Sequence, residues 1–356
     1  MSNETWLLPE GIEEVLPPHA AFLEAKRRAI LDLYHTWGYE LVIPPLIEYL
    51  ESLLTGTGDD LDLQTFKLTD QLNGRMMGVR ADMTPQVARI DAHQLCRKTP
   101  TRLCYMGTIL LTRPDGFAAS RAPLQIGLEL YGHSGVESDV EVFQLMVETL
   151  NTCGVNESYY DLGHVGIYRG LVKQAGLDTQ QEAALFDALQ RKAKPEITEM
   201  LSKIKMDTAA RDMLLALADL NGGSDVLTKM EKVLAAASAD VKQAISELKT
   251  IAQAITRRMP GVSLHYDLAE LRGYHYHTGV VFAAYVSGKG SAIAQGGRYD
   301  GIGKVFGNTR PATGFSTDLK TLLAFNHEQV VQQAGIFAPA DDDELLQQAI
   351  ADSRAA

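Results

Sequence analysis

The sequence contains few cysteines and no long run of apolar residues. Only Cys96, Cys104 and Cys153 occur among its 356 residues, and no two of them have the CxxC spacing of a zinc or redox site. An odd number of scattered thiols predicts neither a disulfide framework nor a metal centre. No apolar segment reaches membrane-spanning length, and the first residues lack a basic region followed by an apolar one. We therefore expect a cytoplasmic protein with no membrane partner.

Positive charge is also scarce. Lys and Arg number 33 against 45 Asp and Glu, which gives a formal net charge of −12. Binding to nucleic acid through its phosphates requires clustered Lys and Arg. The densest basic run, residues 26–28, falls in a predicted helix and is interpreted as one solvent-exposed face. The composition therefore argues against nucleic acid as a partner.

The chain does contain clear helix and strand patterns. Its hydrophobic fraction of 46% is typical of a soluble globular protein, and its length indicates more than one domain. Apolar residues at helical spacing over 18–37 end at Gly38, a good helix terminator. Composition rich in Ala, Leu, Lys, Gln and Glu predicts further helices between about 170 and 259. The predicted strands lie at 39–43, 159–164, 262–268, 276–286 and 291–294, with a hairpin at 66–77.

This order predicts an α+β fold in which an antiparallel sheet flanked by helices is interrupted by a small all-helical domain. The first part of the sheet domain is expected at 1–169, the helical insertion at 170–259 and the second part at 260–325. Residues 326–356 are expected to form a C-terminal tail that is too short for another typical domain.

The stretch 102–132 predicts two antiparallel strands joined by a long loop. On the second strand Gln125, Gly127 and Glu129 face one side, because side chains alternate along a strand, and the other side is apolar. A carboxylate in mid-strand either faces solvent or, if buried, needs a hydrogen-bond donor or a cation. Gly127 between the two polar side chains is expected to leave room for a ligand.

Two further segments carry polar residues at helix starts. Asp82 and Thr84 precede a helix opened by Pro85, so the Thr84 hydroxyl is expected either to cap that helix or to bind a ligand. Ser138 and Glu141 have the spacing of a capping box for a second helix.

The stretch 270–282 carries a histidine pair, and 295–301 carries a glycine pair. His275 and His277 would share one face of a strand, a geometry that suits a metal, but no third ligand of suitable spacing is present. Gly296 and Gly297 indicate either a plain turn or a close backbone approach.

These segments together resemble the class II aminoacyl-tRNA synthetases, and specifically the histidyl-tRNA synthetases. Residues 102–132 are similar, without gaps, to motif 2 of that class, where Gln125, Gly127 and Glu129 match. The helix, strand and proline order over 18–45 resembles motif 1, which builds the dimer interface there. Asp82 and Thr84 match the Glu and Thr that hold the amino group of histidine. Tyr299 matches a Tyr near the imidazole.

The histidine-specific signature of the family is similar to residues 270–282. Arg272, Gly273 and Tyr276 match, His275 replaces an Asp and His277 replaces the second Tyr. The resemblance implies a class II synthetase-like fold and a histidine pocket that needs neither a metal ion nor a cofactor. For Arg272 the alternative is an ion pair with Glu270. The implied histidine ligands are Asp82, Thr84, Gln125, Glu129, Arg272, Tyr276, His277 and Tyr299.

Two departures fall where the family binds ATP. Leu111 and Thr321 stand where synthetases have arginines, and adenylate chemistry depends on such positioned cations. The combination resembles the non-catalytic regulatory subunits of ATP phosphoribosyltransferase. That resemblance implies the short catalytic subunit as partner, self-association as a dimer, free histidine as ligand and feedback inhibition in histidine biosynthesis. The alternatives are an active histidyl-tRNA synthetase, a ligase that aminoacylates another carrier, and a free-standing histidine sensor.

Overall fold

The computed structural model describes residues 6–56, 59–114, 120–269, 273, 276–307, 309–326 and 337–355. Within these ranges the chain combines helices with a large, mostly antiparallel sheet, which confirms the predicted α+β class. None of the helices in these ranges is both long and apolar enough to cross a membrane.

The strands of the described ranges are β1 (Glu40–Leu41), β2 (Ile47–Tyr49), β3 (Phe66–Thr69), β4 (Met76–Val79), β5 (Thr101–Thr108), β6 (Leu124–Tyr131), β7 (Ser158–His164), β8 (Asn221–Gly222), β9 (Ser263–Asp267), β10 (Val280–Val286), β11 (Ala294–Arg298) and β12 (Ala312–Asp318). The main sheet has the order β1-β5-β6-β12-β11-β10-β7-β9-β8. Its β1–β5 and β7–β9 pairs are parallel, whereas the pairs around β6, β12, β11 and β10 are antiparallel. A smaller sheet has the order β2-β4-β3.

The helices of the described ranges are α1 (His19–Thr36), α2 (Leu50–Leu53), α3 (Asp59–Gln64), α4 (Thr84–Arg89), α5 (Val136–Thr152), α6 (Val165–Ala175), α7 (Thr179–Gln190), α8 (Lys194–Lys203), α9 (Thr208–Ala216), α10 (Asp225–Val233), α11 (Ala239–Arg258), α12 (Ile302–Val305), α13 (Leu319–Ala324) and α14 (Glu344–Ala355). A π-helical turn, Ile90–Leu95, continues α4. The predicted α1 is confirmed, and Gly38 follows it with φ +79°, a conformation that glycine adopts at little cost.

Two predicted helix caps are wrong. Thr84 lies inside α4, one residue past the cap position, so its hydroxyl points to Tyr105 at 3.0 Å and not to the helix backbone. α5 begins at Val136, two residues before Ser138. Glu141 therefore does not cap the helix, and its carboxylate accepts two hydrogen bonds from Arg102, at 2.6 and 2.9 Å.

Three strand predictions need correction. β1 has only two residues, and β10 begins at Val280 and not at Tyr276. His277 therefore lies before the strand, and His275 lies outside the described residues. β11 includes the pair Gly296 and Gly297, so the turn alternative is wrong; the close backbone approach is confirmed, because a Cβ on Gly297 would lie 2.5 Å from the carbonyl oxygen of Val280.

The main sheet has one apolar face and one polar face at β6. Ile126 and Leu128 belong to the larger hydrophobic core, which continues through α1 and α5 into the helices between β7 and β9. The opposite face carries Tyr105 and Glu129, partly covered by α4 and α12 through a smaller core that includes Met83. The polar face of β6 is therefore the floor of a covered site. The expected domain boundaries at 170 and 259 stay a prediction.

Candidate ligand-binding site

A half-open cavity of about 240 Å³ lies over the polar face of the main sheet. Its floor is formed by β10, β11 and β12 together with the Glu129 position of β6. Residues just before β10 and the start of α4 complete the walls. Of the predicted site residues, the cavity is lined by Asp82, Thr84, Glu129, Tyr276, His277 and Tyr299.

Glu129 is the most buried charged group of the site, with only 1% of its surface exposed. Tyr105 donates a hydrogen bond to its Oε1 at 2.9 Å, and Tyr299 donates to its Oε2. Burial raises the pKa of Glu129 to about 8, although these two hydrogen bonds lower it in part. The alternative in which Glu129 faces solvent is therefore wrong. A buried carboxylate held by two phenols can both accept and donate a proton near neutral pH.

Space for Glu129 depends on a glycine in the neighbouring strand. β12 pairs with β6 so that Gly314 lies opposite Glu129. A Cβ atom on Gly314 would lie 1.6 Å from Oε2 of Glu129 and 2.6 Å from the carbonyl oxygen of Leu128. Any side chain at position 314 would therefore displace the carboxylate. The sequence reasoning missed both β12 and this glycine.

The space next to Gly127 is occupied by protein and not left for a ligand, contrary to the expectation. β5 and β6 pair with Tyr105 opposite Gly127, and a Cβ on Gly127 would lie 2.6 Å from the Tyr105 hydroxyl. Gly127 therefore allows Tyr105 to reach Glu129. Sequence reasoning missed Tyr105, although a large residue on the first strand opposite a glycine is a usable signal.

Asp82 is fixed by two donors. Its Oδ1 accepts from the backbone N–H of Thr84 at 3.0 Å and from Nε2 of Gln125 at 2.8 Å. Oε1 of Gln125 in turn accepts from the backbone N–H of Met83 at 2.9 Å. Gln125 is therefore buried behind Asp82, which it orients, and is not among the cavity-lining residues. The other carboxylate oxygen, Oδ2, is available to a ligand at the cavity wall.

A hydrogen-bond chain connects the two carboxylates. The Thr84 hydroxyl pairs with the Tyr105 hydroxyl at 3.0 Å, and Tyr105 donates to Glu129 at 2.9 Å. Asp82 holds the backbone of Thr84 in place. The two carboxyl groups are thereby held in one rigid arrangement.

Two stacked tyrosines form another wall. The rings of Tyr276 and Tyr299 are parallel to within 21°, with centroids 4.8 Å apart. Within the described part of the chain, the buried hydroxyl of Tyr276 has no hydrogen-bond partner. A buried polar group of this kind is costly unless a ligand or water pairs with it.

His277 is enclosed by two glycines. A Cβ on Gly273 would lie 2.5 Å from its Nδ1, and one on Gly297 would lie 2.9 Å from its Cδ2. Gly273 also has φ +62°, which disfavours other residues. His277 is thus positioned beside Tyr276, with the two ring centroids 5.4 Å apart. Arg272, the remaining predicted ligand, lies outside the described residues.

Leu111 and Thr321, which stand where the synthetases have their ATP-binding arginines, both contact other protein groups. Leu111 is buried in the smaller core. The Thr321 hydroxyl donates to Asp318 at 2.7 Å. Nearby cations also bind protein, because Arg121 donates to the carbonyl oxygen of Leu111 at 3.0 Å and Lys320 donates to that of Ala122 at 2.9 Å. We call Leu111, Thr321 and these two cations the nucleotide side.

The described residues contain no group of three or more His, Cys, Asp or Glu that could hold a metal ion. The three cysteines are free thiols. The cavity instead combines two carboxyl groups, two tyrosines, the Thr84 side chain and a histidine ring, which suits a small ligand with hydrogen-bond donors.

Comparison with known proteins places the chain near two related groups. The family model described as histidyl-tRNA synthetase matches residues 11–322. The ATP phosphoribosyltransferase regulatory subunit of Thioalkalivibrio sulfidiphilus is 63% identical over 353 residues, covering 99% of this chain and 89% of that protein. That of Pseudomonas aeruginosa is 57% identical over 345 residues, covering 97% and 87%.

Solved structures give the same fold. A Bacillus halodurans structure described as an ATP phosphoribosyltransferase regulatory subunit/histidyl-tRNA synthetase has a TM-score of 0.81 at 26% identity, covering 91% of this chain and 84% of that one. A chain of the ATP phosphoribosyl transferase (HisG:HisZ) complex from Thermotoga maritima has a TM-score of 0.65 at 18% identity, covering 86% and 98%. The second likeness concerns the fold alone. The fold expected from the resemblance, a class II synthetase-like sheet flanked by helices, is confirmed.

Proposed function

The chain belongs to the family of ATP phosphoribosyltransferase regulatory subunits, and from this premise we propose that its cavity binds free histidine and reports it to the catalytic subunit. The chain itself carries out no reaction and serves the first step of histidine biosynthesis through the short catalytic subunit. The observation that carries the histidine proposal is the buried Glu129, held by Tyr105 and Tyr299 at the floor of the cavity.

The charge balance of the cavity favours a ligand with cationic or donor groups. Asp82 and Glu129 bring two carboxylates to its walls. We assign Asp82 and Thr84 to the ammonium group of histidine and Glu129 to the imidazole. Tyr299 is assigned to the imidazole as well, on the same side as Glu129. Tyr276 and His277 cover the ligand. Because Gln125 already binds Asp82, its role is to orient that carboxylate.

Arg272 is proposed to bind the histidine carboxylate. Its planar guanidinium suits a two-point contact with a carboxylate. The described cavity-lining residues include two carboxyl groups and no Lys or Arg, so a ligand carboxylate there needs a cation from elsewhere. The alternative, an ion pair with Glu270, predicts a different outcome for Arg272→Ala. Arg272→Ala should leave assembly with the catalytic subunit intact while histidine inhibition weakens; lost assembly with a normal inhibition curve would support the ion pair.

The nucleotide side supports a regulatory and not a synthetase role. Phosphate binding requires cations that are free to reach the ligand. Arg121 and Lys320 instead donate to backbone carbonyl oxygens, and Leu111 is buried among apolar side chains. A site that keeps ligand contacts and lacks reactive ones can couple binding to a partner without chemistry of its own.

Calorimetry with histidine on Glu129→Gln tests the ligand proposal. The amide keeps the shape but cannot ionise to pair with the imidazole N–H groups, so we expect affinity to fall by about tenfold, the size of a lost hydrogen bond to a charged group. Glu157→Gln on the exposed surface is the matched control and should bind normally. Unchanged affinity in Glu129→Gln would remove Glu129 from the site. Absence of histidine binding to the assembled wild-type complex would reject the sensing role.

Self-association as a dimer is proposed from an apolar surface near β1. Leu41 on the edge strand β1, Ile43 shortly after it and Ile47 on β2 of the smaller sheet are 46%, 81% and 40% exposed. Exposed apolar residues near a sheet edge are typical of an interface. Ile43→Asp should shift sedimentation toward the monomer, whereas Leu72→Asp on the exposed β3–β4 turn should not. A dimer that survives Ile43→Asp unchanged would place the interface elsewhere.

A further inference from the structure

The helices between β7 and β9 contact the main sheet where the ligand loop begins. We use that name for the connection between β9 and β10, and 267–269 stand at its start; the structure describes its residues 268–269, 273 and 276–279, of which Gly273, Tyr276 and His277 line the cavity. β8 pairs with the end of β9, with Asn221 opposite Asp267. The backbone N–H of Leu268 then donates to the carbonyl oxygen of Leu220 at 3.1 Å.

Two side chains from the end of α7 reach the same place. Lys192 donates from Nζ to Oδ2 of Asp267 at 2.6 Å. Gln190 donates from Nε2 to the carbonyl oxygen of Ala269 at 3.1 Å. Asp267 uses its other oxygen, Oδ1, to accept from the backbone N–H of Ala269 at 2.9 Å. Ala269, the second residue of the ligand loop, is therefore fixed through both its N–H and its C=O.

The backbone at Lys192 indicates that this side chain is needed. Lys192 has φ +50°, in the left-handed region. Its N–H donates to the carbonyl oxygen of Leu189, and that of Ala193 donates to the carbonyl oxygen of Ala188, which is the Schellman pattern at a helix end. Glycine is the usual residue at this position because it carries no Cβ. A lysine is present instead, and its ammonium meets a carboxylate that is almost fully buried.

We propose that Lys192 is a positioning residue that holds the start of the ligand loop and so sets the histidine affinity of the cavity. The affinity part rests on the proposed histidine function, whereas the contact between α7 and residues 267–269 does not. The far end of the loop is anchored independently, because the N–H of Thr278 donates to the carbonyl oxygen of Arg298 at 2.7 Å. Releasing Lys192 therefore frees one end of the loop and leaves the other end fixed.

Hydrogen exchange on the full-length chain without ligand tests the contact itself. Lys192→Asn removes the ammonium and keeps a residue that tolerates the left-handed conformation. Gln190→Met removes the second contact from an exposed position. The matched control is Lys203→Gln, which breaks the exposed Lys203–Glu199 pair on α8. We expect peptides covering 268–279 to exchange at least about threefold faster in the first two variants, and at the wild-type rate in the control.

Calorimetry with histidine tests the consequence. We expect about three- to tenfold weaker binding for Lys192→Asn, normal binding for Lys203→Gln, and recovery in Lys192→Arg, which restores a cation. A purely structural role would lower the melting temperature without changing affinity. If Lys192→Asn fails to fold, Gln190→Met decides alone. Variants whose exchange and histidine affinity both equal those of the control would overturn the proposal. If the wild-type chain binds no histidine while exchange in the variants is still accelerated, the ligand is rejected and the contact is kept.

Discussion

The amino-acid side of the cavity and the nucleotide side differ in what their polar groups contact. On the amino-acid side, Asp82 and Glu129 are oriented by Gln125, Tyr105 and Tyr299 and still face a cavity. On the nucleotide side, the cations Arg121 and Lys320 are bound to backbone carbonyl oxygens. The same sheet thus carries a prearranged candidate ligand site beside a region whose described polar groups contact the protein itself.

Placing an arginine at position 111 tests whether the nucleotide side can bind ATP. Leu111 is buried, so Leu111→Arg would place a charge in an apolar core without a counterion. We expect the free energy of unfolding to fall by about 3 kcal/mol or more, with no gain of ATP binding. Chemical denaturation and ATP titration measure the two effects. A stable variant that binds ATP would mean that the nucleotide side is intact apart from this residue.

Gly314→Ala tests whether the amino-acid side depends on the present position of Glu129. The added methyl would overlap Oε2 of Glu129, so either the carboxylate or the strand must move. We expect a loss of about 1 to 3 kcal/mol in the free energy of unfolding, as for other overpacked cores, together with loss of histidine binding. Gly290→Ala is the matched control, because its Cβ would meet no atom within 4 Å and its φ, like that of Gly314, lies outside the left-handed region. Normal histidine affinity in Gly314→Ala would show that Glu129 does not need its present position.

The pH dependence of stability separates Glu129 from the rest of the chain. Its pKa is raised from 4.5 to about 8, so between these values the folded state holds a proton that the unfolded state has lost. Stability from this group is present at acidic pH and is lost as the pH rises toward 8, by on the order of 1 kcal/mol per pH unit. Denaturation from pH 5 to 8 should therefore give a steeper decline in the wild type than in Glu129→Gln. Parallel curves would contradict the raised pKa.

Thr321→Arg is the mildest change to the nucleotide side. Thr321 is half-buried, and its hydroxyl supports Asp318 at the start of α13. Replacing it should cost about 1 kcal/mol through the lost cap contact and should restore no pyrophosphate exchange. Histidine-dependent exchange above a no-protein control in this variant would show that a single arginine was the missing component.

The sequence predicted the structure where the alternation of side chains along a strand decides it. It predicted less where the pairing of distant strands decides which groups meet. Alternation along β6 correctly placed Glu129 on the face opposite Ile126. The role of Gly127 was wrong, because the space beside it depends on Tyr105 in the paired strand. β12 was missed because its small and polar residues lack the strand pattern of alternating hydrophobicity. Pairing between β5, β6 and β12 thus created the site, and no single segment contains that information.

The most direct test of the account is a pair of calorimetric titrations of the purified chain, one with histidine and one with ATP in the presence of magnesium. The account predicts heat and saturation with histidine, no binding of ATP, and a histidine affinity that ATP leaves unchanged. Saturable ATP binding that tightens histidine would contradict it, because the nucleotide side would then be functional. Absence of histidine binding would also contradict it, because the groups around Glu129 would then not form a histidine site.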